Sequence, residues 1–154
     1  MKTRSGKYPT SNRVSADVWA LHEESGRSSK YDLEGRLLEF TSLIIALSER
    51  LPNSRAGNHV AGQILRSGTA PYPNHGEAED AESRDDFIHK MKICLKELRE
   101  TRRWARLIEC KGWTPEDASL ASVLSESDHL IRIFYSSIQT ARRTALAEQR
   151  KAPK

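Results

Sequence analysis

The sequence predicts an all-α fold, an antiparallel up-and-down four-helix bundle with a kinked second helix. Three observations carry this. Apolar residues recur at alternating spacings of three and four over long stretches, the period of helices with one buried face. The 8 glycines and 6 prolines are scarce and cluster between those stretches, which favours long helices. Hydrophobic residues make up 37% and charged residues 30%, a balance that suits helices burying one stripe each, and no alternating strand pattern competes. At 154 residues the chain suits one domain, able to bury a core without disulfides or a structural metal.

Residues 1–30 mix Ser, Gly, Lys and Arg with few apolar groups and are expected to form a flexible basic arm. Within it, Val18, Trp19 and Leu21 of "ADVWALHEE" suit a short amphipathic turn that docks on the bundle or on a partner. The bundle is expected over 31–150, with 151–154 a disordered tail. Leu33, Leu37, Phe40, Ile44, Leu47 and Leu51 form the seam of the first helix, which Pro52 ends. After the turn "PNSRAG", Val60, Ile64 and Leu65 begin a second helix. "SGTAPYPNHG" interrupts it, its two prolines and two glycines predicting a sharp kink with helix resuming near Asn74.

Ser83, with Asp86 three residues on, reads as the N-cap of the third helix. Its seam is Phe87, Met91, Cys94, Leu98, Thr101, Ala105 and Ile108, and Gly112 is its C-cap. The fourth start is "TPED", with Thr114 as N-cap, Pro115 at the first helical position and acids in the first turn. Leu120, Leu124, Ser127, Ile131, Phe134, Ile138, Ala141 and Ala145 continue its seam. Short loops between such helices make antiparallel neighbours the natural arrangement.

Composition also bounds the setting. A formal charge of +4 and a pI near 9.2 permit an anionic partner without demanding one. Cys94 and Cys110 lie too far apart along one helix to bridge each other, so reduced thiols and a cytoplasmic location are expected. No apolar run reaches the roughly 20 residues of a membrane span, and "MKTRSGKYPT" lacks the apolar region of a signal peptide.

The stretch from "YDLEGRL" through "RSGTAPYPNHGEAEDAESRDDFIHKMKICLKELRETRRWARLI" resembles the four-helix bundle family first noted in intervening sequences of bacterial 23S ribosomal RNA genes, the S23-type proteins. The accessory variability proteins of diversity-generating retroelements belong to the same broad group. The resemblance covers about residues 31–135. It rests on Asp32, Leu33 and Arg36, on "QILRSGTAP", on "EAEDAESRDDF", and on "ICLKELRET" to Trp104. Pro73 and His75 depart from it, standing around Asn74 where the family more often has a small residue and a Tyr or Ile. The resemblance implies a helical bundle that assembles into a cyclic homo-oligomer, a pentamer. It also implies a nucleic-acid partner, RNA or DNA, with a reverse transcriptase as a further partner.

Lys92, Lys96, Arg99, Arg103 and Arg106 are spaced 4, 3, 4, 3, so they share one stripe within about 80° of arc, opposite the Phe87 to Ile108 seam. Neighbouring like charges on a helix cost a few tenths of a kcal/mol each, so five in line favour an anion against them. That anion is phosphate, or acidic protein surface such as "GEAEDAESRDD" of a neighbouring subunit, or the stripe is a solvated face. Without glycine-rich loops or interleaved aromatics it would grip backbone and not read bases. Arg142 and Arg143, on the basic C-terminal stretch, extend the expected nucleic-acid-binding set. Ile93, Glu97, Glu100, Trp104 and Leu107 lie on a second face about 90° from the seam, where a subunit interface is expected and a base-stacking platform is the alternative.

No catalytic residue, metal site or cofactor is expected, and the chain reads as non-enzymatic. Glu126 with His129 has the Glu-x-x-His spacing of di-metal bundles and Asp86 with His89 approximates it, yet both pairs are expected to point away from the seam. His75 and Glu79, one turn apart, read as a surface contact. The leading expectation is thus a self-assembling bundle that binds nucleic acid through basic stripes. A protein-interaction scaffold is the alternative, and a di-metal enzyme a remote one.

Overall fold

The computed structural model describes residues 32–115 and 118–151. The basic arm with Val18, Trp19 and Leu21, the capping acids of "TPED" and the last three residues lie outside the described residues. Leu33–Lys154 forms one unit, and its described residues contain five helices and no strand.

α1 spans Leu33–Glu49 and buries Leu37, Phe40, Ile44 and Leu47, the stripe its spacing predicts. The turn after it holds Leu51 buried and leads to α2, Arg55–Thr69. Ser54 caps α2 by accepting the Gly57 amide at 3.0 Å. A Cβ on Gly57 would lie 1.9 Å from the Pro52 carbonyl oxygen, so only glycine lets the turn close this tightly.

α3 spans Pro71–Glu79 and begins three residues before the expected restart at Asn74. Ala70 between α2 and α3 keeps helical angles (φ −60°, ψ −35°), and the bonds Ala70 N–H to Arg66 O and Asn74 N–H to Ala70 O, both 3.3 Å, bracket the junction. Pro71 and Pro73 stand in the first turn of α3, where the amides they lack have no intrahelical acceptor anyway. The prolines therefore start a helix here where the sequence reading expected them to exclude one.

α4 spans Arg84–Lys111. Ser83 accepts the Asp86 amide at 3.1 Å, and Gly112 ends the helix in the left-handed region (φ 61°), with the amides of Gly112 and Trp113 returning to the carbonyls of Glu109 and Ile108. α5 spans Ala118–Lys151. Thr114, the expected N-cap, is buried, and residues 116 and 117, which it would cap, lie outside the described residues.

α1 packs on α2, α3 and α5, and α4 packs on the same three helices. α1 and α4 make no backbone approach to each other, nor do α2 or α3 to α5, so each such pair faces across a shared core. Its largest fully buried side chains include Phe40, Phe134, Ile64, Met91 and Leu130. Two seams are rotated relative to the sequence reading. α5 buries Val123 and Leu130 completely, whereas Leu124 and Ile131 are only half-buried. α4 buries Ile88 and Leu95, with Phe87 half-buried at the margin. Each case has two adjacent apolar residues, and a 3.6-residue period accepts either; packing against two neighbours selects the one nearer the core axis. No described helix is long and apolar enough to cross a membrane.

Candidate functional site

α4 touches three other helices, and its charged residues divide according to which of them they meet. Toward α5, the Arg84 guanidinium donates to both carboxylate oxygens of Glu148 at 2.5 and 3.0 Å, and Arg102 Nε donates to Asp128 Oδ1 at 2.5 Å. This fork holds the Glu148 carboxyl below its usual range and raises Arg84 further. Toward α3, Lys90 Nζ donates to Glu77 at 2.5 Å, which raises the Lys90 pKa.

Toward α2, Arg66 donates to Glu100 and lies 3.6 Å from Glu97 Oε2. Trp104 Nε1 donates to the same Glu100 oxygen at 3.4 Å, and its ring meets His59 edge-on at 6.2 Å. Beside this cluster, Thr101 Oγ1 lies 3.0 Å from Ser67 Oγ and 2.8 Å from the Glu97 carbonyl in the buried helix interface.

The face expected to meet another subunit is in part turned toward α2 of the same chain. Glu97 is buried and Glu100 and Trp104 half-buried against α2 of the same chain. Ile93 is half-buried, and Leu107 remains exposed. The physical reason is that α4 is an inner corner with neighbours on both flanks, so a face about 90° from the seam falls under a neighbouring helix.

The five cations of the stripe meet none of these helices. Lys92, Lys96, Arg99, Arg103 and Arg106 are all exposed. Among the described residues, only Lys96 has a carboxylate within salt-bridge distance, Glu97 at 3.9 Å, and the Lys96 side chain is 77% exposed. Around them is an open depression lined by Lys92, Leu95, Lys96, Arg99, Glu100 and Arg103. The contrast within one helix is sharp: Arg84, Lys90 and Arg102 are spent on neighbouring helices, while the stripe stays available. Arg142 and Arg143 are exposed on the last turns of α5 and make no pair among the described residues.

Other titratable groups meet neighbours inside the bundle or face solvent. Glu126 does not point away from the bundle as expected; it faces α1 and accepts from Arg36 at 2.9 and 2.7 Å, with His129 Nδ1 at 3.6 Å. That ion pair uses the carboxylate a metal would need, and no group of three or more His, Cys, Asp or Glu among the described residues is arranged to hold a metal. Asp86 is half-buried and His89 exposed. His75 is also corrected: it is buried with its ring edge-on to Phe134 at 6.0 Å and Nδ1 3.7 Å from Glu79. Pro71, His75 and Ala78 share one face of α3, and that face is the one turned inward. Both cysteines are free; Cys110 is exposed, and burial pushes the Cys94 thiol up to about 12.

The sequence reading did not single out Asp128, which pairs with Arg102, or Tyr135, which is exposed on α5. Their signal is a spacing of seven that continues to Arg142, one line along a helix face beside Leu124 and Ile131.

No protein-family profile matches the chain, and no curated protein matches it. Among solved structures, a crystal structure of a protein of unknown function from the S23 ribosomal protein family of Bacteroides thetaiotaomicron is similar, with a TM-score of 0.62 and 35% sequence identity. The match spans 68% of the present chain and 96% of that one. Over nearly the whole length of that relative the likeness extends to sequence as well as fold, and the chain belongs to the S23 ribosomal protein family.

Proposed function

We propose that this protein is a non-enzymatic, self-assembling four-helix bundle that binds nucleic-acid backbone through the cationic stripe of α4, without reading base sequence. The observation that carries the reading is how little of the stripe's charge is compensated among the described residues, Lys96 alone having a carboxylate, at 3.9 Å. Five exposed cations lie in line, and the other cations of α4 that face neighbouring helices are paired. A helix that spent all its positive charge on internal contacts would have no reason to concentrate the remainder on one exposed line, since like charges in succession are mildly destabilising. Phosphates supply the missing counter-charge, and the affinity gained is mostly that of released counterions.

The bundle itself is proposed as antiparallel and up-and-down, with the second helix kinked at Ala70–Pro71. Two observations support this. Partners on α5 fall in number as those on α4 rise, from Arg84–Glu148 to Arg102–Asp128. The partners of α2 and α3 on α4 follow the same rule, with Glu77 meeting Lys90 and Arg66 meeting Glu100. Self-assembly as a cyclic homo-oligomer is the family expectation. Leu38 and Ile45 on α1 and Leu65 on α2, all exposed, supply apolar surface for it.

Arg99→Glu combined with Arg103→Glu tests the reading. The expected result is an oligomer unchanged by light scattering and salt-sensitive RNA or DNA binding lost. If the wild type retains no nucleic acid at low salt and the variant's oligomer falls apart, the stripe pairs with acidic protein surface. The exposed Asp80, Glu82 and Asp85 of the α3–α4 connection and first turn of α4 are the candidates for that surface.

A further inference from the structure

We infer that the α4 stripe and α5 together form a site for single-stranded nucleic acid, in which the ring of Tyr135 stacks on a base while the stripe holds the phosphates. The inference rests on the proposed function and names the ligand class within it. Its starting point is an exception: Tyr135 is an aromatic residue 50% exposed on a helix whose other large apolar residues mostly face inward.

The register between α4 and α5 locates that ring. Arg102 and Asp128 are bonded at 2.5 Å. Seven residues, about two helical turns, separate Asp128 from Tyr135 on α5 and Leu95 from Arg102 on α4. A seven-residue step keeps a side chain on the same face. With the two helices antiparallel, two turns from the Arg102–Asp128 pair arrive at Leu95 and Tyr135 together. The Arg84–Glu148 fork holds the same order further on, so the register does not slip between. Leu95 lines the depression that Lys92, Lys96, Arg99 and Arg103 also line. Tyr135 therefore flanks the stripe at its Lys92–Lys96 end, and Arg142, a further seven residues along, comes level with Ile88, about one turn beyond Lys92.

The arrangement selects a strand over a duplex. The stripe is one line of cations spaced by three and four residues, about 5–6 Å per step, comparable to successive phosphates along an extended strand. A duplex offers its phosphates on two tracks and keeps its base faces stacked on each other, out of reach of a side ring. An unpaired base presents a face to Tyr135 with the apolar Leu95 beside it. Stacking of this kind tolerates any base, which agrees with a stripe that has no means of reading edges.

The test compares fluorescein-labelled oligothymidylate with a duplex carrying the same number of phosphates, by anisotropy at low salt. The wild type is expected to bind the strand more tightly. Tyr135→Ala should weaken strand binding about tenfold while leaving duplex binding unchanged, and Tyr135→Phe, which keeps the ring, should restore it. An unchanged strand affinity in Tyr135→Ala, beside lost binding in Arg99→Glu with Arg103→Glu, would overturn the stacking site and leave the nucleic-acid reading standing. Tighter binding of the duplex would overturn it in the same way. Failure of the wild type to bind either probe would overturn both.

Discussion

Gly62 and Gly68 lie six residues apart on α2, and the structure predicts opposite outcomes for the same substitution at each. A Cβ at Gly62 meets nothing within 4 Å, whereas a Cβ at Gly68 would lie 2.6, 2.7 and 2.9 Å from three side-chain carbons of Ile44. Ile44 is fully buried in α1 and cannot swing aside without displacing core neighbours. Glycine-to-alanine relieves up to about 1 kcal/mol of backbone entropy cost in a helix, less near an end such as Gly68. Overpacking a filled core costs about 1–3 kcal/mol. Gly62→Ala is therefore expected to stabilise by up to about 1 kcal/mol, and Gly68→Ala to destabilise by about 1–2 kcal/mol. Urea unfolding of both variants with unchanged slope gives the comparison. Shortening the obstructing side chain with Ile44→Val should cost less in the Gly68→Ala background than in the wild type, a coupling that a double-mutant cycle isolates. Equal stabilisation by both alanines would refute the close approach of α1 and α2 that the account requires.

Other contacts make equally definite claims. Arg66→Ala removes the cation beside Glu97, whose side chain is only 10% exposed and whose Oε2 has no hydrogen-bond partner. A loss of about 1–3 kcal/mol in unfolding free energy is expected, and adding Glu97→Gln should recover part of it; full wild-type stability in Arg66→Ala would contradict the pairing. Thiol titration with a disulfide reagent at neutral pH should find one reactive cysteine per native chain, Cys110, and two after unfolding, because Cys94 is buried with its thiol pushed up to about 12. Two fast thiols in the native protein would show the α3–α4 contact to be open. The Glu148 carboxyl is lowered by its fork with Arg84, so that contribution is complete above the ordinary carboxylate range and is lost as pH falls through the lowered value. Carbon chemical shifts of residues 145–151 should move toward coil values on acidification in the wild type, with a smaller change in Glu148→Gln. Identical acid profiles would remove the fork from the account.

How much of this was legible in the sequence depended on whether each position had a competitor beside it. α1 was readable because Leu37, Phe40, Ile44 and Leu47 stand at the one spacing that keeps them on a face, and all four are buried. The caps of α4 were readable because Ser83 and Gly112 act through their own local backbone. Val123 beside Leu124 and Leu130 beside Ile131 were ambiguous, since only the positions of two neighbouring helices decide which is innermost. Pro71 misled because proline both ends and begins helices. The same limit governs the charges. Arg102 and Arg103 are adjacent and chemically identical, yet one is bonded to Asp128 and the other faces solvent. Periodicity placed the five stripe cations on one line, and all five are exposed, but it could not show that Glu97, Glu100 and Trp104 are engaged with α2 of their own chain.

The central claim, that the α4 stripe holds phosphates, is tested most directly by the salt dependence of nucleic-acid affinity. Each phosphate neutralised on a single strand contributes about −0.7 to the slope of log affinity against log salt concentration. Five stripe cations acting together predict a wild-type slope of about −3 to −4. Arg99→Ala with Arg103→Ala should flatten the slope by about 1.4. A slope unchanged by the double substitution would contradict the account, because the phosphates would then be held somewhere else.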